Sequence, residues 1–281
     1  MSTQVTHELE ARNPDGFPFH IGTRLVNHRD PDGKIIGHEY VPLTQADYLH
    51  PQEEDHFLSS NRHAVALRTL ANALTLTTRD RPGRRVFVEH RIDWQRLGIE
   101  PHGPDAVVFD GFTAPYDDLS GTLPVEDFGA EILALFEVTS TSTRHIDLGD
   151  KFDEFLELGI PYYIVIDTAA SNGVPIVIGF RYVRGMYREM RRDPELGVLV
   201  PPLKLWFRWQ RDRLIVADED GINIPDFDEM TSRADMEKVR ADAENARAEL
   251  ERARADTEKA RADALAREIE KLKANMNGQS S

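Results

Sequence analysis

Between Pro104 and Thr168, one acidic residue follows a proline and opens a short apolar run, PDAVVF, and a second closes another apolar run in EILALFEVTSTSTR. A lysine sits one helical turn into the next element, DLGDKFDEFLELG. These residues are Asp105, Glu137 and Lys151. Hydrolysis of a phosphodiester needs a Lewis acid, an activated water and compensation of charge on the phosphate. Two carboxylates and a lysine on adjacent elements of an α/β core could supply that setting. Hard oxygen ligands suit magnesium, with manganese as a substitute. Unpaired carboxylates brought together repel until one takes up a proton, so a cation would also relieve the electrostatic cost. Spacing leaves two readings of Lys151 open: a side chain returning to the site to orient water or neutralise phosphate, or an exposed i,i+4 ion pair with Asp147.

The elements that must position these groups are legible from periodicity. HFLSSNRHAVALRTLANALTL (56–76) places Leu67, Leu70 and Leu74 on one helical face, and Arg-Pro-Gly at 81–83 breaks it. VFVEHRIDW (86–94) alternates as a strand, and DAVVF is a short second strand. The near-continuous apolar run 132–138 predicts a strand buried on both faces. Asp147 reads as the N-cap of a helix with Leu148, Phe152 and Phe155 inward, ending at Gly159. YYIVID (162–167) is the next buried strand, and the closeness of strand, helix and strand predicts a parallel crossover. IVIGFRYVRGMYREM and LKLWFRWQRDRLIVAD then read as hairpins turning at Arg184–Gly185 and Arg211–Asp212, the second covering the sheet edge.

The remaining regions set the organisation: an irregular arm over 1–40, an α/β domain over 41–220, a linker over 221–232, a heptad helix over 233–274 and a disordered tail over 275–281. Arg233 to Ala274 repeats every seven residues, RADMEKV RADAENA RAELERA RADTEKA RADALAR EIEKLKA. With Met236, Ala243 and Leu250 at a, and Val239 and Ala246 at d, acids at g meet arginines at e, the pairing of a parallel coiled coil. Homo-oligomerisation through this coiled coil is therefore expected, with a solitary charged helix as the alternative.

The 281 residues, 40% hydrophobic and without cysteine, can bury a sizeable core and offer no thiolate ligands. No apolar run approaches the length of a membrane span and no signal-peptide core is visible, so a cytoplasmic protein without membrane association is expected. A net charge of −15 opposes non-specific affinity for nucleic acid. The tail is charge-balanced, so the excess acid lies in the α/β domain. Nucleic-acid binding would then need a local basic patch, for which Arg79, Arg81, Arg84, Arg85 and Arg91, or Arg181, Arg184, Arg188, Arg191 and Arg192, are candidates. His63, His90, His102 and His145 have no ligand spacing and read as ordinary histidines.

From about Thr44 to Pro202 the chain resembles the Uma-two family, also called domain of unknown function 820, within the PD-(D/E)XK nuclease superfamily. PDAVVF and FEVTSTSTRHIDLGDKFDEFLELGIPYYIVID carry the resemblance. It implies a restriction-endonuclease-like αβββαβ core, magnesium dependence, Asp105 and Glu137 as metal ligands, and DNA as substrate. Lys151 resembles the relocated lysine of the family, while Thr139 occupies the usual superfamily position. The acidic hairpin that often precedes the first helix is not recognisable, GHEYVPLTQADYL preserving a trace with Glu39 as a candidate acid. Asp167 reads as a turn-capping carboxylate or an outer support of the site. The competing expectation is a non-catalytic scaffold that keeps the fold and assembles through its helix.

Overall fold

The computed structural model describes residues 21–113, 121–170 and 173–226, and, further on, 229–232, 236–238, 240–241, 244–245, 247–249, 251 and 259. The chain divides into two units, Met1–Asp226 and Phe227–Ser281. In the first, β1 (Gly22–Arg29) and β2 (Ile35–Pro42) form an antiparallel hairpin, and after helix α1 (Gln45–Leu49) strand β3 (Asp55–Phe57) joins the free side of β1. An irregular arm was expected as far as residue 40. The residues from Gly22 are instead ordered by strand pairing, which the Asp, Gly and Pro content of the hairpin turn disguises in sequence. Thr44 caps α1 and exchanges hydrogen bonds with Asp47 in a capping box.

Helix α2 (Asn61–Leu76), capped by Ser60, is followed by β4 (Arg85–Val88), β5 (Arg91–Asp93), β6 (Ala106–Asp110), β7 (Thr122–Pro124) and β8 (Glu131–Thr139). The expected single strand 86–94 is two strands, because Glu89 adopts a positive φ of 48° and sends the chain out of the sheet. Next come one-turn helix α3 (Arg144–Asp147), α4 (Asp150–Leu158), β9 (Tyr162–Asp167), β10 (Ile176–Val183) and β11 (Met186–Glu189). A six-stranded sheet runs β11-β10-β9-β8-β6-β4, with β8 and β9 parallel and the other neighbours antiparallel. Its central elements, α2, β4, β6, β8, α4 and β9, follow the order helix, three strands, helix, strand.

Alternation along the strands sends side chains to two cores. Ala106, Val108, Phe136, Val138, Ile164 and Ile166 face α2. Val107, Phe109, Leu135, Tyr163 and Val165 face the side that Phe155 of α4 covers. The chain ends its first unit with β12 (Arg192–Asp193), β13 (Gly197–Val200), β14 (Leu205–Gln210) and β15 (Arg213–Ala217), a separate four-stranded sheet. Its last turn falls at the expected Arg211–Asp212, as the β10–β11 turn does at Arg184–Gly185, but it does not cover an edge. Val198, Phe207, Leu214 and Val216 join the α2-side core face-on.

In the second unit the described residues from Glu229 are helical, whereas Val239, Ala243, Ala246, Leu250 and most of the later heptad positions, with 275–281, lie outside the described residues. Among the described residues no helix is long and apolar enough to cross a membrane.

At Gly179 the six-stranded sheet packs tightly against the four-stranded one. A Cβ there would meet Val198 Cγ1 at 2.6 Å and Met190 Sδ at 2.9 Å. Gly179→Ala should therefore cost about 1–3 kcal/mol in a urea unfolding titration, the usual penalty of overpacking. An unchanged midpoint would show that the sheets separate easily.

Candidate active site

Strand register places the two predicted carboxylates together. Ala106 pairs with Phe136 across antiparallel β6 and β8, so Asp105, one step before β6, falls opposite Glu137. Both share the parity of Val107 and Leu135 and belong to the face covered by α4. Asp105 Oδ2 accepts the backbone N–H of Val138 at 2.6 Å, which fixes the carboxylate beside the end of β8. Its other oxygen faces His63 Nε2 on α2 at 3.5 Å.

Lys151, in the first turn of α4, donates from Nζ to Glu137 Oε1 at 3.0 Å and lies 3.4 Å from Asp147 Oδ1. All three side chains are essentially inaccessible. The i,i+4 pair with Asp147 therefore exists, but it is buried rather than exposed, and the same ammonium also serves Glu137. Asp147 is not the helix cap; Gly149 holds that position, and Asp147 ends the preceding turn with its side chain directed inward. The Tyr48 ring covers the ammonium at 4.4 Å, and its hydroxyl lies 3.5 Å from Asp147 Oδ1. Tyr163 steadies the turn by donating its hydroxyl to the Asp147 carbonyl at 2.6 Å.

One ammonium cannot satisfy two buried carboxylates. Burial drives the Glu137 carboxyl well above its usual range against the pull of Lys151, and the charges of Asp105 and Asp147 add to the rise. The same balance lifts Asp147 to about 6. Burial alone would push Lys151 down, but Glu137, Tyr48 and the two aspartates outweigh it and keep the group cationic. Glu137 Oε2 and Asp147 Oδ2 are buried and find no hydrogen-bond donor among the described residues. Orphaned carboxylate oxygens near a third carboxylate are chemically suited to a hard cation, although among the described residues only His50, His102 and Glu154 bring three ligand atoms within 4.8 Å of one another.

A cavity of about 390 Å³ opens beside this cluster and is lined by Asp105, His63, Tyr48, Glu89, Arg91 and Ser140 among others. Glu137 and Lys151 are not in its lining. Thr139 does not reach it either: its hydroxyl donates to Asp167 Oδ1 at 3.1 Å. Asp167 also accepts from Arg144 Nε and from the amide of Ala169, the turn-capping role that the sequence suggests. Glu39 is exposed on β2 beside His28, 3.4 Å away.

Sequence reasoning missed His63, whose raised pKa reflects burial, which lowers it, outweighed by the hydrogen bond and charge of Asp105. It also missed the cluster of His50, His102 and Glu154. That cluster is poorly suited to a cation. His102 Nδ1 accepts the Trp94 indole N–H at 2.6 Å, so its proton sits on Nε2, which faces Glu154 at 2.9 Å. Burial, opposed by Glu154, keeps this imidazole below its usual pKa and therefore neutral.

Neither candidate arginine group gathers as a patch at the site. Arg85 pairs with Phe109, and Arg181 with Tyr162 through the β9–β10 ladder, both at the sheet end opposite Asp105 and Glu137. Arg84 is buried against Asp110. Arg91 alone of the candidates lines the cavity, donating to the Pro51 carbonyl and to Thr122 Oγ1.

The family model named Uma2, described as "Putative restriction endonuclease", matches residues 58–225. A crystal structure from Anabaena variabilis, described as a putative nuclease belonging to DUF820, aligns with 14% identity over 52% of this chain and 82% of its own, with a TM-score of 0.38. No curated protein matches the chain.

Replacing Lys151 by Met should destabilise the protein by about 3–5 kcal/mol at about pH 8, because two buried carboxylates lose their counterion. Both carboxyls have folded pKa values above their ordinary ones, and loss of the lysine raises them further. Their protonation therefore protects the variant at about pH 5, and stability falls as pH rises through the folded values. Urea titrations at the two pH values check this; an equal deficit at both would refute the charge balance described.

Proposed function

The chain belongs to the Uma2 family, whose description is "Putative restriction endonuclease", and we propose that it is a magnesium-dependent endonuclease that hydrolyses phosphodiester bonds in DNA, with manganese as a substitute metal. The observation that carries this reading is the register that opposes Asp105 to Glu137 while Lys151, from the covering helix, bonds to the same glutamate. Asp105 and Glu137 would hold the metal. The cation supplies Lewis acidity and a polarised water.

The chain's own groups do the rest. The Val138 amide fixes one oxygen of Asp105, and the other lies 3.5 Å from His63 Nε2, both residues lining the cavity. Lys151 keeps its proton and sets a positive charge behind Glu137, which it also orients by hydrogen bonding. Asp147, 3.4 Å from the ammonium, gives Lys151 a second anchor beside Glu137. Tyr48 shields the ammonium and limits its exposure to bulk water.

Asp105→Asn and Glu137→Gln should each abolish metal-dependent cleavage of plasmid or single-stranded DNA while leaving the circular dichroism spectrum intact, since a carboxamide lacks the charge a hard cation needs. Lys151→Ala should lose turnover by about a hundredfold or more, with a much smaller loss of manganese affinity. Cleavage undiminished in either carboxamide variant, under magnesium and with an EDTA control, removes that residue from the mechanism.

The heptad tail adds homo-oligomerisation to this proposal. Alanine at most a and d positions buries little apolar area, so association rests on Met236, Val239 and Leu250 and is weak, on the order of micromolar for the isolated segment. Deletion from Thr231 onward should leave the first unit folded and lower the stoichiometry seen by sedimentation. The same stoichiometry with and without the tail would make it a solitary helix.

A further inference from the structure

A second cavity, of about 650 Å³, shares Leu58, Ser59 and Ser140 with the one beside Asp105. Its wall is made from the N-terminal end of the 16-residue helix α2 and from the turn after β8. Six hydroxyl residues line it: Ser59, Ser60, Ser140, Thr141, Ser142 and Thr168. Arg62 supplies a cationic head, and among the described lining residues there is no carboxylate. In a chain of net charge −15 this composition is the exception. The adjoining cavity, by contrast, carries Glu53, Asp55, Glu89 and Asp105.

We propose that this hydroxyl-lined groove seats the sugar-phosphate backbone of a single nucleic-acid strand and leads it toward Asp105 and Glu137. The inference rests on the hydrolytic reading of that site and adds the path by which the substrate reaches it. Serine and threonine hydroxyls and amides at a helix N-terminus are regular phosphate donors, and they recognise the backbone without a large positive charge. Several donors are already oriented. Ser60 Oγ accepts from the His63 amide, which leaves its own hydroxyl proton able to donate. Ser140 is held within hydrogen-bond distance of the Ser142 and Thr143 hydroxyls at 2.8 and 3.2 Å. Arg62 is bridged to Asp212 at 2.9 Å, but both side chains are exposed, and such a pair is weak enough to be exchanged for a phosphate. The missing arginine patch is thus replaced by neutral donors where the polyanion must pass the metal-binding acids.

The test measures binding of fluorescent thymidine and uridine oligomers to the full-length protein in EDTA, which separates binding from cleavage. Thr141→Glu places a carboxylate at an exposed position in the groove and should weaken binding at least about tenfold. Thr141→Gln, similar in size and uncharged, should stay close to wild type. Arg62→Ala should weaken binding several-fold and flatten the dependence of log K on log salt by about 0.7, the share of one single-strand phosphate contact. Tighter binding of one oligomer identifies the strand as DNA or RNA, and either supports the groove. Thr141→Glu binding as well as wild type, or absence of binding by wild type at low salt, overturns the proposal. Wild type that binds with the expected variant pattern but never cleaves with magnesium or manganese upholds the groove and overturns the hydrolytic reading instead.

Discussion

The ammonium of Lys151 is the interaction on which the site depends. It lies out of water between Glu137 and Asp147, under the ring of Tyr48, and joins β8, the turn before α4 and α1 through one charge. Removing a lysine from water is costly unless partners surround it, and here they do. Yet the balance is incomplete, since two carboxylates share one cation and each keeps an orphaned oxygen. A fold that only needed stability would have filled this space with apolar side chains. Two acids that share one ammonium have their pKa values pushed upward instead.

Much of the architecture serves to hold that imbalance. The six-stranded sheet is sealed on one face by α2 and the four-stranded sheet, on the other by α4 and its aromatic neighbours. Phe155 and Tyr163 pack edge to face, with ring centroids 5.2 Å apart, below the carboxylates. Such a rigid, dry floor keeps Glu137 and Asp147 desolvated, which is why their carboxyls are pushed upward. Only Asp105 among the three acids reaches a cavity wall. The site therefore has a buried half that stores charge and an open half that can meet a substrate.

What the sequence by itself determined was the identity and parity of the central groups. A strand has a period of two, so Glu137 had to share a face with Leu135, and Asp105 with Val107, once the two runs were recognised as strands. The helix stop at Gly159, with its positive φ of 71°, and the two hairpin turns follow from local backbone chemistry and were equally legible. What only the tertiary structure decided was partnership. Asp147 looks like a helix cap from spacing, and nothing local says that its side chain turns inward or that Lys151 bonds to a glutamate fourteen residues earlier. Nor could the sequence place His63 against Asp105, bring Trp94 to His102, or reveal that Arg85 and Arg181 stand at the far end of the sheet while hydroxyls gather beside the site. These pairings depend on strand register and on the packing of elements distant in the chain, whereas residue spacing reports only the periodicity within each element.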